Sequence, residues 1–358
     1  MGKEILYNRV NENRFSFMGN AKDFFKKDIW NAILKIVTLG FYSPQTKLGR
    51  LTYVLEKTQF QNESFQIKTN SSVLFKGFWK TYLLFLVVLG ALVGLGFLAF
   101  TPNFVVKILS VIAFLAVLFI VAPILHYSVQ YNQWQFWTKN ISWKGINLSV
   151  NTTKNHYIKP LVRDYGFFMV SCLIWLFFIR FFVYMMLERY LTIPFLILFG
   201  ILIMSFLFLT LLFFNRLMFT RISMIFNEMN FGNLKIKFVG NKKELLRINV
   251  FGLTLTLVTF GLGMVYYIYE KTDYLLRSVV IIQDDKEYAI QYQLPIAQTI
   301  TLEIKNFIFR YLTFGLARTL SISQTLDFVS KNIILSPDLR FDKVIPLEND
   351  NKVGMLYF

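Results

Sequence analysis

The chain has 358 residues, of which 55% are hydrophobic and only 16% are charged, and its mean hydropathy is +0.48. This composition predicts a multi-pass membrane protein rather than two or three soluble domains. The net charge of +17 does not indicate nucleic-acid binding, because the basic residues lie between apolar segments, as orientation in a membrane requires.

Cysteine and histidine are too scarce for metal chemistry. The single cysteine, Cys172, excludes an intrachain disulfide and a thiolate cluster. The two histidines, His126 and His156, lie too far apart in the sequence for a local zinc site. We therefore expect no metal and no cofactor. The first 28 residues lack the apolar stretch of a cleavable signal peptide, so internal helices are expected to direct insertion.

Apolar segments that approach or reach the roughly 20 residues needed to cross the hydrocarbon core recur along the chain. Two pairs of them are predicted to form helical hairpins, each around a short turn. Two further segments are shorter or stand alone, and a seventh is ambiguous because it carries charged residues. The hairpin segments are 81–100 with 104–125 and 165–187 with 193–214; the others are 28–42, 245–269 and 296–316.

Basic residues in the connections predict the orientation. The three long loops, 47–80, 126–164 and 215–247, contain six, five and seven lysines and arginines, whereas the hairpin tips contain none or one. The positive-inside rule therefore places the long loops in the cytoplasm and the tips outside. The connector 270–293 holds five acidic residues, which suits the outer side.

Residues 17–40 and 238–261 align without a gap, with identities that include Phe17/Phe238, Asn20/Asn241 and Gly40/Gly261. Self-similarity of this kind indicates one structural unit used twice. Since the segment 28–42 is short and broken by Gly40 and Pro44, a re-entrant helix–turn–helix is the preferred interpretation, and an outside N-terminus is the alternative.

A second pattern lies in the basic loops, where an arginine is followed ten residues later by a phenylalanine. A polar, strand-like piece and an asparagine suited to a helix cap then follow, as at Asn70 and Asn241. We interpret the loops as short β-hairpin-like connectors that brace the helices, and a ligand cup is the alternative. The pairs are Arg50 with Phe60, Arg221 with Phe231, and Arg318 with Phe328.

The run Val37-Thr38-Leu39-Gly40-Phe41-Tyr42, with Pro44 and Arg50 after it, resembles the YjgN family of bacterial inner-membrane proteins. Residues 253–263 look like the second occurrence of this run in the family, so the resemblance extends over most of the chain. It implies a location in the inner membrane of a Gram-negative bacterium. The family has no established activity, so it implies no catalytic or binding residues.

Charged side chains inside apolar helices are candidate functional residues, because burying them in lipid is costly. Arg180 is either a substrate contact or a residue that extends to the interface or pairs with Glu188. Glu303 and Arg310 share one face of the seventh segment. They line a polar path if this segment spans the membrane, and they form an ordinary amphipathic face if it lies at the interface.

We predict an all-α polytopic membrane bundle of six to seven hydrophobic helices, with parallel internal repeats. Its parts are 1–80, 81–247 and 248–358. No catalytic motif is present, and an enzyme is not expected. The lead hypothesis is a transport or permeation role for a small solute. The alternative is a non-catalytic scaffold that contacts protein or lipid, with anionic phospholipid head groups as partners and oligomerisation left open.

Overall fold

The computed structural model describes residues 13–69, 71–187, 192–313 and 317–345, and this part of the chain is mostly helical. Its helices form five pairs, in which consecutive helices pack against each other. The pairs are α1 (Ala21–Val37) with α2 (Ser43–Lys57), α3 (Ser71–Leu98) with α4 (Phe104–Asn140), α5 (Lys154–Leu187) with α6 (Ile193–Asn227), α7 (Lys242–Val258) with α8 (Gly263–Ser278), and α9 (Ile296–Phe307) with α10 (Arg318–Asn332).

Each helix pair begins after one short strand and ends in another, and the two strands pair antiparallel. These strand pairs are β1–β2, β4–β5, β6–β7, β8–β9 and β11–β12. Their bounds, with the two linking strands β3 and β10, are β1 Phe15–Phe17, β2 Thr58–Phe60, β3 Glu63–Ser64, β4 Gln66–Ile67, β5 Ile141–Trp143, β6 Ile146–Val150, β7 Met229–Phe231, β8 Leu234–Phe238, β9 Val279–Gln283, β10 Lys286–Ala289, β11 Gln291–Tyr292 and β12 Ile333–Ile334.

The strands of neighbouring pairs join into a ring. Hairpins β2–β3, β5–β6, β7–β8 and β9–β10 connect one pair to the next. Only Phe65 separates β3 from β4, and only Ile290 separates β10 from β11. A bridge between Arg14 and Ile334 joins the last strand to the first. The strands thus form a closed succession of three sheets, with three, seven and two strands, and at Phe65 and Ile290 the chain itself rather than a strand ladder makes the connection.

One hydrogen bond recurs at the base of all five helix pairs. In each, a backbone N–H just after the incoming strand donates to a carbonyl at the end of the outgoing helix. This bond fixes where the strands stop and the helices begin. The five bonds are Met18 to Lys57 (2.8 Å), Lys68 to Asn140 (2.8 Å), Asn151 to Glu228 (2.9 Å), Val239 to Ser278 (2.8 Å) and Gln293 to Asn332 (2.9 Å).

Apolar side chains from the strands meet inside the ring, and the segment after β12 packs among them. Phe60, Trp143 and Leu234 form a buried cluster with Leu339 and Phe341 of that segment. The indole N–H of Trp143 donates to the carbonyl of Phe60 at 3.0 Å, so its polar atom is satisfied within the core. The strands and this segment thus share one packed core.

Four helices, α3, α4, α5 and α6, are long and apolar enough to cross a membrane. The expected single helix over residues 245–269 is wrong: a turn at Thr259–Leu262 divides it into α7 and α8. Gly261 occupies this turn with φ of 99°, a conformation that continues no right-handed helix. At 17 residues and about 1.5 Å per residue, α7 is too short to cross the hydrocarbon core alone.

One further expectation about the connections is corrected. The connector 270–293 was placed on the opposite side of the membrane from the loop 215–247, but β9 pairs with β8 from that loop. Both stretches therefore lie on one side, because the intervening helices α7 and α8 go out and return. The predicted hairpin-like connectors are present as β2–β3, β5–β6, β7–β8 and β9–β10, and pairing with other strands extends them into larger sheets.

Candidate functional site

The starts of α1 and α7 have the same local geometry. The side chains of Asn20 and Asn241 each accept a hydrogen bond from the N–H two residues later, at 2.9 Å, which confirms the predicted helix caps. Tyr53 and Tyr274 donate their hydroxyls to the backbone carbonyls of these asparagines, at 2.9 and 3.0 Å. The second helix of each pair is thereby fixed to the start of the first. The predicted cap at Asn70 lies outside the described residues.

The turns between these helices also match. Thr38 and Thr259 donate their hydroxyls to the carbonyl four residues earlier at 2.6 Å, and each hydroxyl accepts an N–H from the start of the next helix. The following residue has φ near 50° in both turns, and the glycines have φ of 92° and 99°. Sequence reasoning missed a matching threonine, Thr313, whose hydroxyl likewise accepts the N–H of the residue four positions later, Ala317, at 3.0 Å; residues 314–316 lie outside the described residues. Its signal was the Thr-Phe-Gly-Leu sequence shared with Thr259–Leu262.

A cavity of about 1080 Å³ lies between α1, α2, the end of α4 and the start of α10; we call it the cationic cavity. Its walls are mostly apolar and include Leu51, Val54 and Ile322. Four basic side chains also line it, one on α1, two on α2 and one on α10. They are Lys35, Lys47, Arg50 and Arg318.

Only one of these four cations has a carboxylate partner within the described part of the chain. Arg50 forms a two-point ion pair with Asp28, which is 3% exposed, and the Nη2–Oδ2 distance is 2.8 Å. The Lys47 ammonium lies 5.3 Å from the ring centroid of Trp137, and desolvation lowers the pKa of Lys47. The cavity therefore carries positive charge that the surrounding described side chains do not neutralise.

A second space of about 460 Å³ lies on the other side of α2, between α2, α3 and α4; we call it the aromatic cleft. Phe78, Tyr82 and Phe85 of α3 line it. Lys47 and Trp137 belong to the linings of both the cleft and the cationic cavity. The two spaces therefore meet along this pair of side chains.

The structure brings together two of the three arginines predicted from the Arg-to-Phe spacing. Arg50 and Arg318 line the cationic cavity, whereas Arg221 lies in α6 outside its lining. Phe60 and Phe231 lie in the ring strands β2 and β7, but Phe328 lies within α10. In the third pair both residues thus lie in one helix, whereas in the first two the phenylalanine lies in the strand that follows the helix.

The predicted path residues do not line the two spaces. Arg180 is exposed near the far end of α5, and its predicted partner Glu188 lies outside the described residues. Glu303 accepts a hydrogen bond from Asn306 at 3.4 Å, and Arg310 donates to Ser321 at 2.8 Å. Within the described ranges, Glu303 and Arg310 form no ion pair. The Arg310–Ser321 bond reaches α10, whereas the Glu303–Asn306 bond lies within α9.

A buried ionic centre that sequence reasoning missed joins α5 to α6. The Asp164 carboxylate, 1% exposed, accepts from Arg216 at 2.9 Å, from Arg163 at 3.2 Å and from the Thr220 hydroxyl at 2.8 Å. The signal was a single acid at the edge of a long apolar segment, opposite an arginine at the edge of the next. Since all its partners lie on the two packed helices, the centre is a structural clamp.

Comparison with known proteins gives one family. The family described as "Bacterial protein of unknown function (DUF898)" matches residues 12–162. This is the YjgN family, so the resemblance is confirmed over these residues. The matched range includes Lys35, Lys47, Arg50 and the aromatic cleft, but not Arg318. No curated protein and no solved structure matches the chain.

Proposed function

From a chain whose residues 12–162 match the YjgN family, we propose a multi-pass bacterial inner-membrane protein that binds an anionic phospholipid head group in the cationic cavity. Under this proposal the protein is not an enzyme and needs no cofactor. The four long apolar helices α3 to α6 supply the membrane anchor. The ring of strands and the long basic loops lie on the cytoplasmic side, where the lipid leaflet is anionic.

The short helix pairs enter the same membrane without crossing it, as parallel structural repeats of the spanning pairs. Their turns are apolar and uncovered: Leu39 is 89% exposed and Phe260 is 99% exposed. Exposing such apolar side chains to water is unfavourable, whereas a bilayer would cover them. Their backbone polar groups are bonded within the helices and turns, which is the condition for entering lipid.

The observation that carries the head-group proposal is the charge of the cationic cavity. Lys35, Lys47 and Arg318 face a largely apolar space without a carboxylate partner among the described residues. All three side chains are exposed, so a lipid head group can reach them, and basic residues near the membrane surface attract anionic head groups. A phosphodiester suits both arginine and lysine donors.

The test measures melting temperature of the detergent-purified protein against phosphatidylglycerol, phosphatidylcholine with the same acyl chains, and inorganic phosphate. We expect stabilisation by phosphatidylglycerol, and roughly tenfold weaker apparent affinity in Lys47→Gln and Arg318→Gln, since each removes a charged hydrogen-bond donor. Lys235→Gln, at an exposed position on β8, is the matched control. Equal responses in all three variants contradict the proposal, and a response to inorganic phosphate alone assigns the site to a free anion.

A permeation role for a small solute is the second candidate. The observation in its favour is that the helix pairs pack in a closed succession, with α10 of the last pair against α1 of the first. The packed ring interior counts against a path along the axis. Arg180→Ala and Arg310→Ala in a solute-uptake assay test this candidate. It loses its basis if both variants behave like the wild-type protein.

A further inference from the structure

We infer that the aromatic cleft holds an acyl chain of the same lipid whose head group occupies the cationic cavity. This inference rests on the proposed function and names its ligand as an anionic glycerophospholipid rather than a soluble phosphate. The two spaces form one site with a charged part and an apolar part, divided by α2.

The geometry of the division supports one continuous ligand. Lys47 and Trp137 line both spaces, and the Lys47 ammonium stands 5.3 Å from the Trp137 ring centroid. The charge of the combined site is therefore confined to the cavity and to this boundary. The other side chains of the cleft, including Phe78, Tyr82 and Phe85, carry no charge. An amphiphile with one anionic end matches this distribution of charge.

The cleft has the size and chemistry of a site for an apolar ligand. Its volume of about 460 Å³ falls within the usual range of roughly 300–1,000 Å³ for small-molecule pockets. Its lining is mainly apolar and aromatic, with Leu74, Phe78 and Phe136 among its side chains, which suits an acyl chain. The cleft also borders α3, one of the four candidate spans, which gives a lipid chain direct access from the bilayer.

The experiment compares ligands that differ in one part at a time. Dioleoyl-phosphatidylglycerol carries charge and chains, dioleoyl-phosphatidylcholine carries the same chains without net charge, and glycerophosphoglycerol carries the charged head group alone. Each is titrated into the detergent-purified protein, and binding is followed by the melting temperature. We expect phosphatidylglycerol to bind at least about tenfold more tightly than glycerophosphoglycerol, because burial of even a few methylene groups accounts for such a factor.

Substitutions in the aromatic cleft test whether the acyl chain binds there. Thr81→Trp fills the cleft and is expected to reduce the affinity for phosphatidylglycerol towards that for glycerophosphoglycerol, without changing the latter. Thr81→Val keeps the volume of threonine and is expected to bind like the wild type. Thr210→Trp makes the same change on α6, at another buried hydroxyl without a partner in the described residues, and serves as the matched control.

The outcomes separate the two proposals. If phosphatidylglycerol and glycerophosphoglycerol bind equally and Thr81→Trp changes neither, the cleft holds no chain, although the head-group site stands. If neither anionic ligand binds, the proposed function itself fails. If phosphatidylcholine binds as tightly as phosphatidylglycerol, the site recognises chains without charge and both statements are wrong. The comparison of ligands on the wild-type protein remains decisive even if Thr81→Trp does not fold.

Discussion

Gln283 and Arg340 are joined by two hydrogen bonds across 57 residues of sequence. The Gln283 side-chain amide donates to the Arg340 carbonyl at 2.9 Å, and the Arg340 backbone N–H donates to the Gln283 side-chain oxygen at 3.0 Å. The side chain of the last residue of β9 thus makes two backbone hydrogen bonds to the segment after β12, as a neighbouring strand would. Asn13 does the same from the other side of the ring, donating to the carbonyls of Ser336 and Leu339. The segment is held in the ring interior by polar as well as apolar contacts.

Gln283→Ala is expected to lower the free energy of unfolding by roughly 1–3 kcal/mol, because it leaves two backbone groups of a partly buried segment without their partners. Denaturant titration followed by tryptophan fluorescence measures the change, since Trp143 lies in the affected core. Gln291→Ala, on the exposed side of β11, is the control and should change stability little. Equal effects of the two substitutions would show that the pair with Arg340 contributes nothing specific.

Gly261→Ala is expected to destabilise the α7–α8 turn by about 1–2 kcal/mol. The glycine has φ of 99°, which side chains rarely adopt, and an added methyl group would meet no atom within 4 Å. The cost is therefore purely conformational. Gly49→Ala is the control: it lies within α2 with open space around it, and we expect a gain of roughly 0.5–1 kcal/mol there. Thermal unfolding distinguishes the opposite signs.

Local features of the fold could be predicted from the sequence, whereas the ring could not. The caps at Asn20 and Asn241 and the strands at Gln66–Ile67 and Leu234–Phe238 follow from nearby residues. The bridge between Arg14 and Ile334 joins residues far apart in the chain, and no local pattern specifies it.

The two wrong expectations have separate causes. A hydropathy window over residues 245–269 averages across the turn at Gly261, so it cannot distinguish one spanning helix from two that go out and return. The connector 270–293 was assigned to the outer side from its five acidic residues, although acidic residues contribute little to orientation. The cationic cavity shows the same limit: Arg50 and Arg318 come together only because α10 packs against α1. The Arg-to-Phe spacing that suggested these two arginines ends in strand β2 at Phe60 but within helix α10 at Phe328.

The apolar turns provide a direct test of membrane entry. In a Cys172→Ser background, Phe260→Cys is expected to react slowly with a membrane-impermeant maleimide in vesicles and rapidly after detergent solubilisation, because the bilayer covers this turn. Asp285→Cys, at the β9–β10 hairpin, should react in vesicles whose cytoplasmic face is outward. Rapid labelling of Phe260→Cys in intact vesicles of either orientation would contradict the re-entrant arrangement.

Asp164→Asn is expected to cost about 2–4 kcal/mol of stability. Removing the charge leaves Arg216 and Arg163 next to a buried neutral group, and the cost is moderated because both arginines reach solvent. Asp327→Asn removes the acid of an exposed ion pair with Lys331 and should cost less than about 1 kcal/mol. Thermal unfolding of the two variants in one detergent gives the comparison, and a similar loss in both would refute the clamp between α5 and α6.

The ring should lose stability in alkali partly through Tyr292 on β11. Burial, together with the hydrogen bond its hydroxyl donates to Asp273 at 2.8 Å, raises the pKa of Tyr292 to about 12. The unfolded chain has a tyrosine pKa of about 10, so the folded state holds this proton more tightly. The resulting stabilisation is complete below about pH 10 and is lost as the pH rises from there towards 12.

Tyr292→Phe should therefore be less stable than the wild type at neutral pH, and the difference should shrink over that alkaline range. Tyr288→Phe, on the adjacent strand β10, is the control and should follow the wild-type pH dependence. Melting temperatures measured across this range give the result. A constant difference between Tyr292→Phe and the wild type at every pH would show that folding does not raise the pKa of Tyr292.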